Sequence, residues 1–265
     1  MARNSPSHVE RTFKALNLHL IDEDDCISGV WPSLEPSYSV PEGLTTFLPS
    51  QAKKHQNDFV HFYIEDYRFE RLWTEPERYI DVLSRYAGMI MPDYSTYRNM
   101  PIPMQLWNMY RSRAIASFYQ KCGIDVIPNL IWADERTYGP AFSGLPIGGT
   151  YAVANIGTSR DADAKHYFYK GLLVALEAVM PTTLLVYGSK LEIELPCEVI
   201  HYTNDNTERV RKNVPYISAA DRNALNGSSG PKRIESSVVD DGETLISPLK
   251  YDISLTLDER TASDE

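Results

Sequence analysis

Between residues 58 and 202, short apolar runs alternate with stretches of helical period, and that alternation restricts the chain to few architectures. The strand-like runs are Phe59–Ile64, Gly88–Met91, Asp125–Ile131, Thr150–Ile156, Thr183–Tyr187 and Glu198–Tyr202. Pro76 sits at a first helical position after Thr74-Glu75, and Tyr79, Leu83 and Tyr86 supply an apolar stripe. Met104, Trp107, Tyr110, Ala114 and Phe118 recur at threes and fours, and Gly123 ends that helix. Phe168, Leu172, Leu176 and Val179 repeat the pattern until Pro181 stops it. Strand, helix, strand with short connections reads as βαβ units, which give a parallel sheet with right-handed crossovers. The expected fold class is α/β: parallel β/α units forming an open sheet or an incomplete barrel. A full eight-unit barrel needs about 250 residues, so the preceding zone would have to contribute to one.

That preceding zone, residues 1–57, holds Pro32, Pro36, Pro41 and Pro49 and the acidic cluster Asp22-Glu23-Asp24-Asp25. It is expected to pack on the 58–202 core as short strands or irregular structure, after a helix near Val9–Leu16. Residues 203–265 are polar, weakly periodic and end acidic, with a linker-like Asn226-Gly227-Ser228-Ser229-Gly230-Pro231. They read as a partly disordered extension, in which a short strand near Ser237–Val239 or Tyr251–Leu255 can still pair with the core.

Charge narrows the range of partners. The chain carries 26 basic against 36 acidic residues, a net −10. Broad binding to a phosphate backbone needs a basic stripe, so nucleic acid is not favoured, though a small basic patch is compatible with the total. No run of 18 apolar residues exists, and the start lacks the apolar stretch of a signal peptide, so no membrane is expected. Cys26, Cys122 and Cys197 are odd in number and far apart, which fits neither a disulfide framework nor a metal pair. A reducing cytoplasm suits this usage. H-E-x-x-H spacing and clustered Cys/His are absent, so no metal ligands are assigned and no cofactor can be named.

In parallel α/β folds, sites gather at the carboxyl ends of the strands. Asp66, Asp93 and the Asp134/Glu135 pair follow three successive strands. Such carboxylates can act as acid and base in hydrolysis, or hold Mg²⁺. An aspartate after a strand is also the usual helix cap. Arg111 falls within the apolar stripe of its helix with Asn108 beside it, while Arg113 points to the opposite side. A guanidinium on a packed face needs a partner, and Asp93 is the natural candidate. Tyr67, Arg68, Arg71, Trp73, Tyr94, Tyr97, Arg98, Trp132 and Arg136 put aromatic and basic groups at strand exits, where they can stack a base or pack the loops. His61 shares a strand face with Phe59, Tyr63 and Glu65 and is a base or ligand only if that face lines a cleft. Gly157-Thr158-Ser159-Arg160 lies between a strand and a helix, where backbone N–H groups can bind an anion.

The ordered motifs carry a resemblance. Phe62 precedes Asp66-Tyr67-x-Phe69-Glu70-Arg71-x-Trp73; then come Pro92-Asp93-Tyr94-Ser95, Asn108-x-Tyr110-Arg111-x-Arg113, Gly123-Ile124-x-Val126-Ile127-Pro128, Trp132 and Leu185-Val186-Tyr187-Gly188. Over roughly residues 58–190 the chain resembles a family of uncharacterised phage and mobile-element proteins, classified only as a domain of unknown function. The resemblance implies a protein of a phage or similar element, and it implies no reaction. The expected role is an accessory protein that binds a small ligand or protein partner in a carboxylate- and arginine-bearing cleft, with Tyr67, Arg68, Asn108, Arg111, Trp132 and Arg136 as binding residues. The alternatives are a metal-assisted hydrolase using Asp66, Asp93 and Asp134, or a nucleic-acid-associated replication or defence factor. Whether the chain is an enzyme stays open.

Overall fold

The computed structural model describes residues 7–21, 26–27, 31–158, 161–203 and 233–234. The acidic cluster at 22–25, residues 159–160 and the polar zone beyond Thr203, with its strand candidates, lie outside the described residues, apart from 233–234. Helix α1 (His8–Ala15) leads to a small antiparallel pair, β1 (Cys26–Ile27) and β2 (Trp31–Pro32). There follow β3 (Leu44–Thr46), β4 (Phe59–His61), α2 (Arg71–Thr74), α3 (Ile80–Leu83), β5 (Gly88–Ile90), α4 (Ile102–Lys121) and β6 (Val126–Ile127). The second half holds α5 (Glu135–Phe142), β7 (Thr150–Ala154), α6 (Ala162–Val179), β8 (Thr183–Tyr187), β9 (Glu198–Tyr202) and β10 (Arg233–Ile234).

Two parallel sheets, β3-β4-β5-β6 and β7-β8-β9, carry the fold, with β10 antiparallel on β9. They meet where Asn129 bridges Ala152: Leu130 N–H donates to Ala152 O at 2.8 Å, and Ala152 N–H to Pro128 O at 2.9 Å. Strand alternation then sorts side chains to two faces. Leu44, Phe59, Ile90, Ile127, Ala152, Leu185, Ile200 and Tyr202 form one buried cluster drawn from every strand between β3 and β9. Val60, Met89, Met91, Val126, Val153, Leu184 and Val186 face the other way, into a cluster with Leu83, Met109, Ile115, Leu172, Leu176 and Val179 of the helices. A sheet whose inner face meets itself across one core is a curled barrel wall. This one is incomplete: among the described residues no ladder joins β3 to β9, and the Tyr202 hydroxyl donates to Pro41 O near that seam. Each large apolar side chain buried on either face contributes about 1.5–3 kcal/mol.

The helices follow the sequence periodicity with two exceptions. The Pro76 stretch is split into a 3-10 turn and α3, and α5 contains Gly139 and Pro140, residues that argue against helix. Gly123 ends α4 with a φ of 81°, a conformation that suits glycine. No helix among the described residues is long and apolar enough to cross a membrane.

Candidate functional site

The segments that leave β4, β5, β6 and β7 at their carboxyl ends, with the first turns of α6, enclose a cleft of about 960 Å³. That is at the upper end of small-molecule sites, about 300–1,000 Å³. Its lining includes Tyr63, Asp66, Tyr67, Asp93, Tyr97, Arg98, Trp132 and Tyr167.

A short hydrogen-bonded chain lies along the cleft. The Tyr63 hydroxyl donates to Asn129 Oδ1 at 2.9 Å, and Asn129 Nδ2 donates to Asp93 Oδ1 at 3.0 Å. Tyr63 thereby orients the amide, and the amide occupies one oxygen of Asp93. Asp93 Oδ2 has no hydrogen-bond partner among the described residues. Burial, with the nearby Asp66 carboxylate, pushes Asp93 up to about 7, and the Asn129 bond offsets part of that rise. Burial also holds the Tyr63 phenol well above its ordinary range. Below these groups, His61 is fully buried in the barrel with its ring 4.4 Å from Tyr187 and 5.2 Å from Tyr63. Desolvation lowers it to about 3, so it is neutral, and its Nδ1 accepts the Tyr63 N–H at 3.2 Å. His61 is thus interior packing beneath the cleft.

Asp66 lines the cleft and is held by the loop after β5: its carboxylate accepts from Ser95 N–H at 3.1 Å and Ser95 Oγ at 2.8 Å. Asn108 fixes the same loop from behind, donating Nδ2 to Ser95 O at 2.6 Å. Arg111 stands behind it too. The expected Arg111–Asp93 pair does not form. Arg111 donates to Glu70 at 2.7 and 2.9 Å and to Asn108 Oδ1 at 2.7 Å, and lies 4.0 Å over the Tyr94 ring. Asp93 faces the barrel mouth, whereas Glu70 precedes α2 on the helical side, within reach of α4. Neither Asn108 nor Arg111 lines the cleft. Arg113, on the opposite side of α4, is buried as well and donates to Ala141 O and Ser143 O at the end of α5.

The remaining sequence candidates divide in the same way. Trp132 lines the cleft, donating Nε1 to Tyr167 O at 3.2 Å, with Gly171 of α6 leaving room for its ring. Tyr67 lines the rim and is 77% exposed. Arg68 pairs with Glu65 at 3.1 Å. Asp134 caps α5, accepting Arg136 N–H at 3.1 Å and the Arg136 guanidinium at 2.6 and 2.9 Å, and these bonds hold it below the usual carboxylate range. Neither Asp134 nor Arg136 lines the cleft, so Asp66 and Asp93 come together there without Asp134. Among the described residues no group of three or more His, Cys, Asp or Glu is placed to hold a metal.

Two contributors carried little sequence signal. Asn129 is a lone amide at an inward position of an otherwise apolar run, and that polarity was the available clue. Tyr167 is one of several aromatics on α6, next to Phe168 and Tyr169 in the sequence. Its ring lies 4.0 Å beneath the Arg98 guanidinium at the cleft.

Two phage proteins are similar to this chain over 179 residues. The Gene 1 protein of Mycobacterium phage L5 is 34% identical, over 66% of this chain and 78% of its own length. The Gene 1 protein of Mycobacterium phage D29 is 32% identical, over 66% of this chain and 66% of its own. No solved structure matches the chain. The model of a domain of unknown function, DUF4417, matches residues 25–203, a span that includes β1 through β9 and every residue of the cleft, and the chain belongs to that family.

Proposed function

We propose that this chain is an accessory protein of a phage or mobile element that binds a small ligand in the cleft at the strand ends. The similarity to two mycobacteriophage proteins supports the first half. The observation that carries the second half is Asp93, a carboxyl in the cleft with one oxygen bound by Asn129 and the other unshared. A polar group held in place and left half-satisfied within an apolar-walled cleft is the usual form of a ligand anchor.

Thermal unfolding against nucleotides, sugars, amino acids and Mg²⁺ tests this reading. A ligand at 100 times its dissociation constant adds about 2.7 kcal/mol of stability. The reading expects a shift with at least one member that Asp93→Asn abolishes. A well-folded protein that shifts with none favours a protein partner instead.

A hydrolase is the second reading, favoured by one observation. Asp93, pushed up to about 7 by burial and by the nearby Asp66, lines the cleft together with Asp66, and two carboxyls in one cleft can divide the work of acid and base. In such an enzyme Asp93→Asn removes turnover while the fold persists.

A further inference from the structure

The class of ligand can be narrowed, and this step rests on the small-ligand reading above. We propose that the cleft takes a free nucleotide, its base against the tyrosine and tryptophan rings with an N–H edge on Asp93, and its phosphate on Arg98.

Three independent features converge on that chemistry. The first is ring surface. Tyr67 and Tyr97, 77% and 65% exposed, both line the cleft on the loops that follow β4 and β5. Trp132 and Tyr167 add ring surface from the β6 exit and α6. Aromatic faces on a cleft wall accept a flat heterocycle whatever its identity.

The second is a cation at the cleft. Arg98 lines the cleft, with its guanidinium 4.0 Å over the Tyr167 ring. The nearby carboxylate of Asp134 is already held by Arg136 at 2.6 Å. Asp134 feels the Arg98 charge, but no carboxylate among the described residues forms an ion pair with Arg98, which leaves its guanidinium N–H groups free to meet an anion. A planar guanidinium suits two phosphate oxygens at once.

The third is Asp93. With Oδ1 taken by Asn129 Nδ2, Oδ2 presents one position that accepts from an N–H when ionised and donates to a ring nitrogen when protonated. Both kinds of atom lie along the edge of a base. A zwitterionic amino acid also has two opposite charges, but most amino acids lack a flat heterocycle to lie against the exposed Tyr67 and Tyr97 rings. A long strand of nucleic acid is opposed by the net charge of −10.

Isothermal titration calorimetry at pH 7 decides the matter, using the four ribonucleoside monophosphates, their nucleosides, an amino acid, a sugar and a short oligothymidylate. The expected result is a nucleotide that binds about tenfold tighter than its nucleoside. Arg98→Ala should erase that difference, Asp93→Asn should change the preferred base, and Arg85→Ala, exposed and outside the cleft, should change neither. Equal affinity for nucleoside and nucleotide overturns the phosphate assignment. An oligothymidylate that binds tighter than any monomer, with affinity falling steeply in salt, overturns the free nucleotide in favour of a strand. Binding of the sugar or amino acid alone, lost in Asp93→Asn, overturns the nucleotide and leaves the small-ligand reading standing. Binding of none of these ligands removes both.

Discussion

Asn129 Nδ2 donates to Asp93 Oδ1 at 3.0 Å, and this is the one hydrogen bond described for that carboxyl. Its effect on Asp93 opposes the effects of burial and of Asp66, and those two win. The loop after β5 therefore delivers to the cleft a carboxyl that can hold or release a proton near neutral pH. Three consequences of this architecture can be measured.

Asp93 holds its proton up to about 7 in the folded chain, against an ordinary 3.8. Between those values the folded chain binds one more proton at this site than the unfolded chain. The stability linked to that proton is full below about pH 4 and is lost as pH rises through about 7. Asp93→Asn keeps the shape and cannot ionise. Relative to the variant, the wild-type should lose about 1.4 kcal/mol per pH unit across the window. His61 contributes with the opposite sign: its folded value of about 3 lies below 6.5, so its stability contribution is lost as pH falls through that range. Both proteins carry it, so it cancels in the difference. Urea denaturation at pH 5 and pH 8 reads this out, and a constant difference between the two proteins would place no such proton on Asp93.

The Arg111–Glu70 pair holds the back of the β5 loop. Arg111 is 11% exposed in its side chain and Glu70 is 41% exposed. Removing the partner of a buried charge costs about 3–5 kcal/mol, and partial solvation of Glu70 reduces that. Glu70→Ala should therefore cost about 2 kcal/mol in chemical denaturation. Glu75→Ala, which breaks an exposed pair with Arg78, should cost less than about 0.5 kcal/mol. Equal effects in the two variants would show that Arg111 draws its stability from Tyr94 and Asn108.

At Gly171 two terms compete. In an open helix, Gly→Ala gains up to about 1 kcal/mol. Here an added Cβ would stand 2.0 Å from Trp132 Nε1. Overpacking of that kind costs about 1–3 kcal/mol, so Gly171→Ala should destabilise the chain. It should also displace the indole from Tyr167 O, visible as altered tryptophan near-ultraviolet circular dichroism. A stabilised variant with an unchanged spectrum would mean that the ring has room to shift.

Much of the frame was legible in the residues because strand and helix periods differ. Thr183–Tyr187 and Glu198–Tyr202 are strands over the expected ranges, whereas Phe59–Ile64 is a strand only at 59–61 and Asp125–Ile131 only at 126–127, with one further bridge at Asn129, their ends turning into the site. Three features were hidden. Leu44–Thr46 is too short a strand to show a period, yet it pairs with β4. The α5 segment contains Gly139-Pro140, and its helix is secured by the Asp134 cap and by Arg113 on its last carbonyls. The partner of Arg111 is not legible in the sequence, because chain order brings Asp93 close to α4 while folding turns Asp93 toward the barrel mouth and sets Glu70 against Arg111. Cleft membership depends on such turns. Asp66, Asp93, Tyr67 and Trp132 line it, while Asn108, Arg111, Asp134 and Arg136 stand behind or beside it.

The open seam between β3 and β9 has a consequence for the order of assembly. The contact beside it, from Tyr202 to Pro41, joins residues 161 apart in the chain. Neighbouring β/α units close short loops, while this tie must close a long one and bears a larger entropic penalty. Contact order therefore favours forming the wall from unit to unit, with the Tyr202 tie bearing the larger loop-closure penalty of the two. Because the cleft opens over β4 to β7, away from the seam, its walls rest on the contacts between neighbouring units and not on that long-range tie.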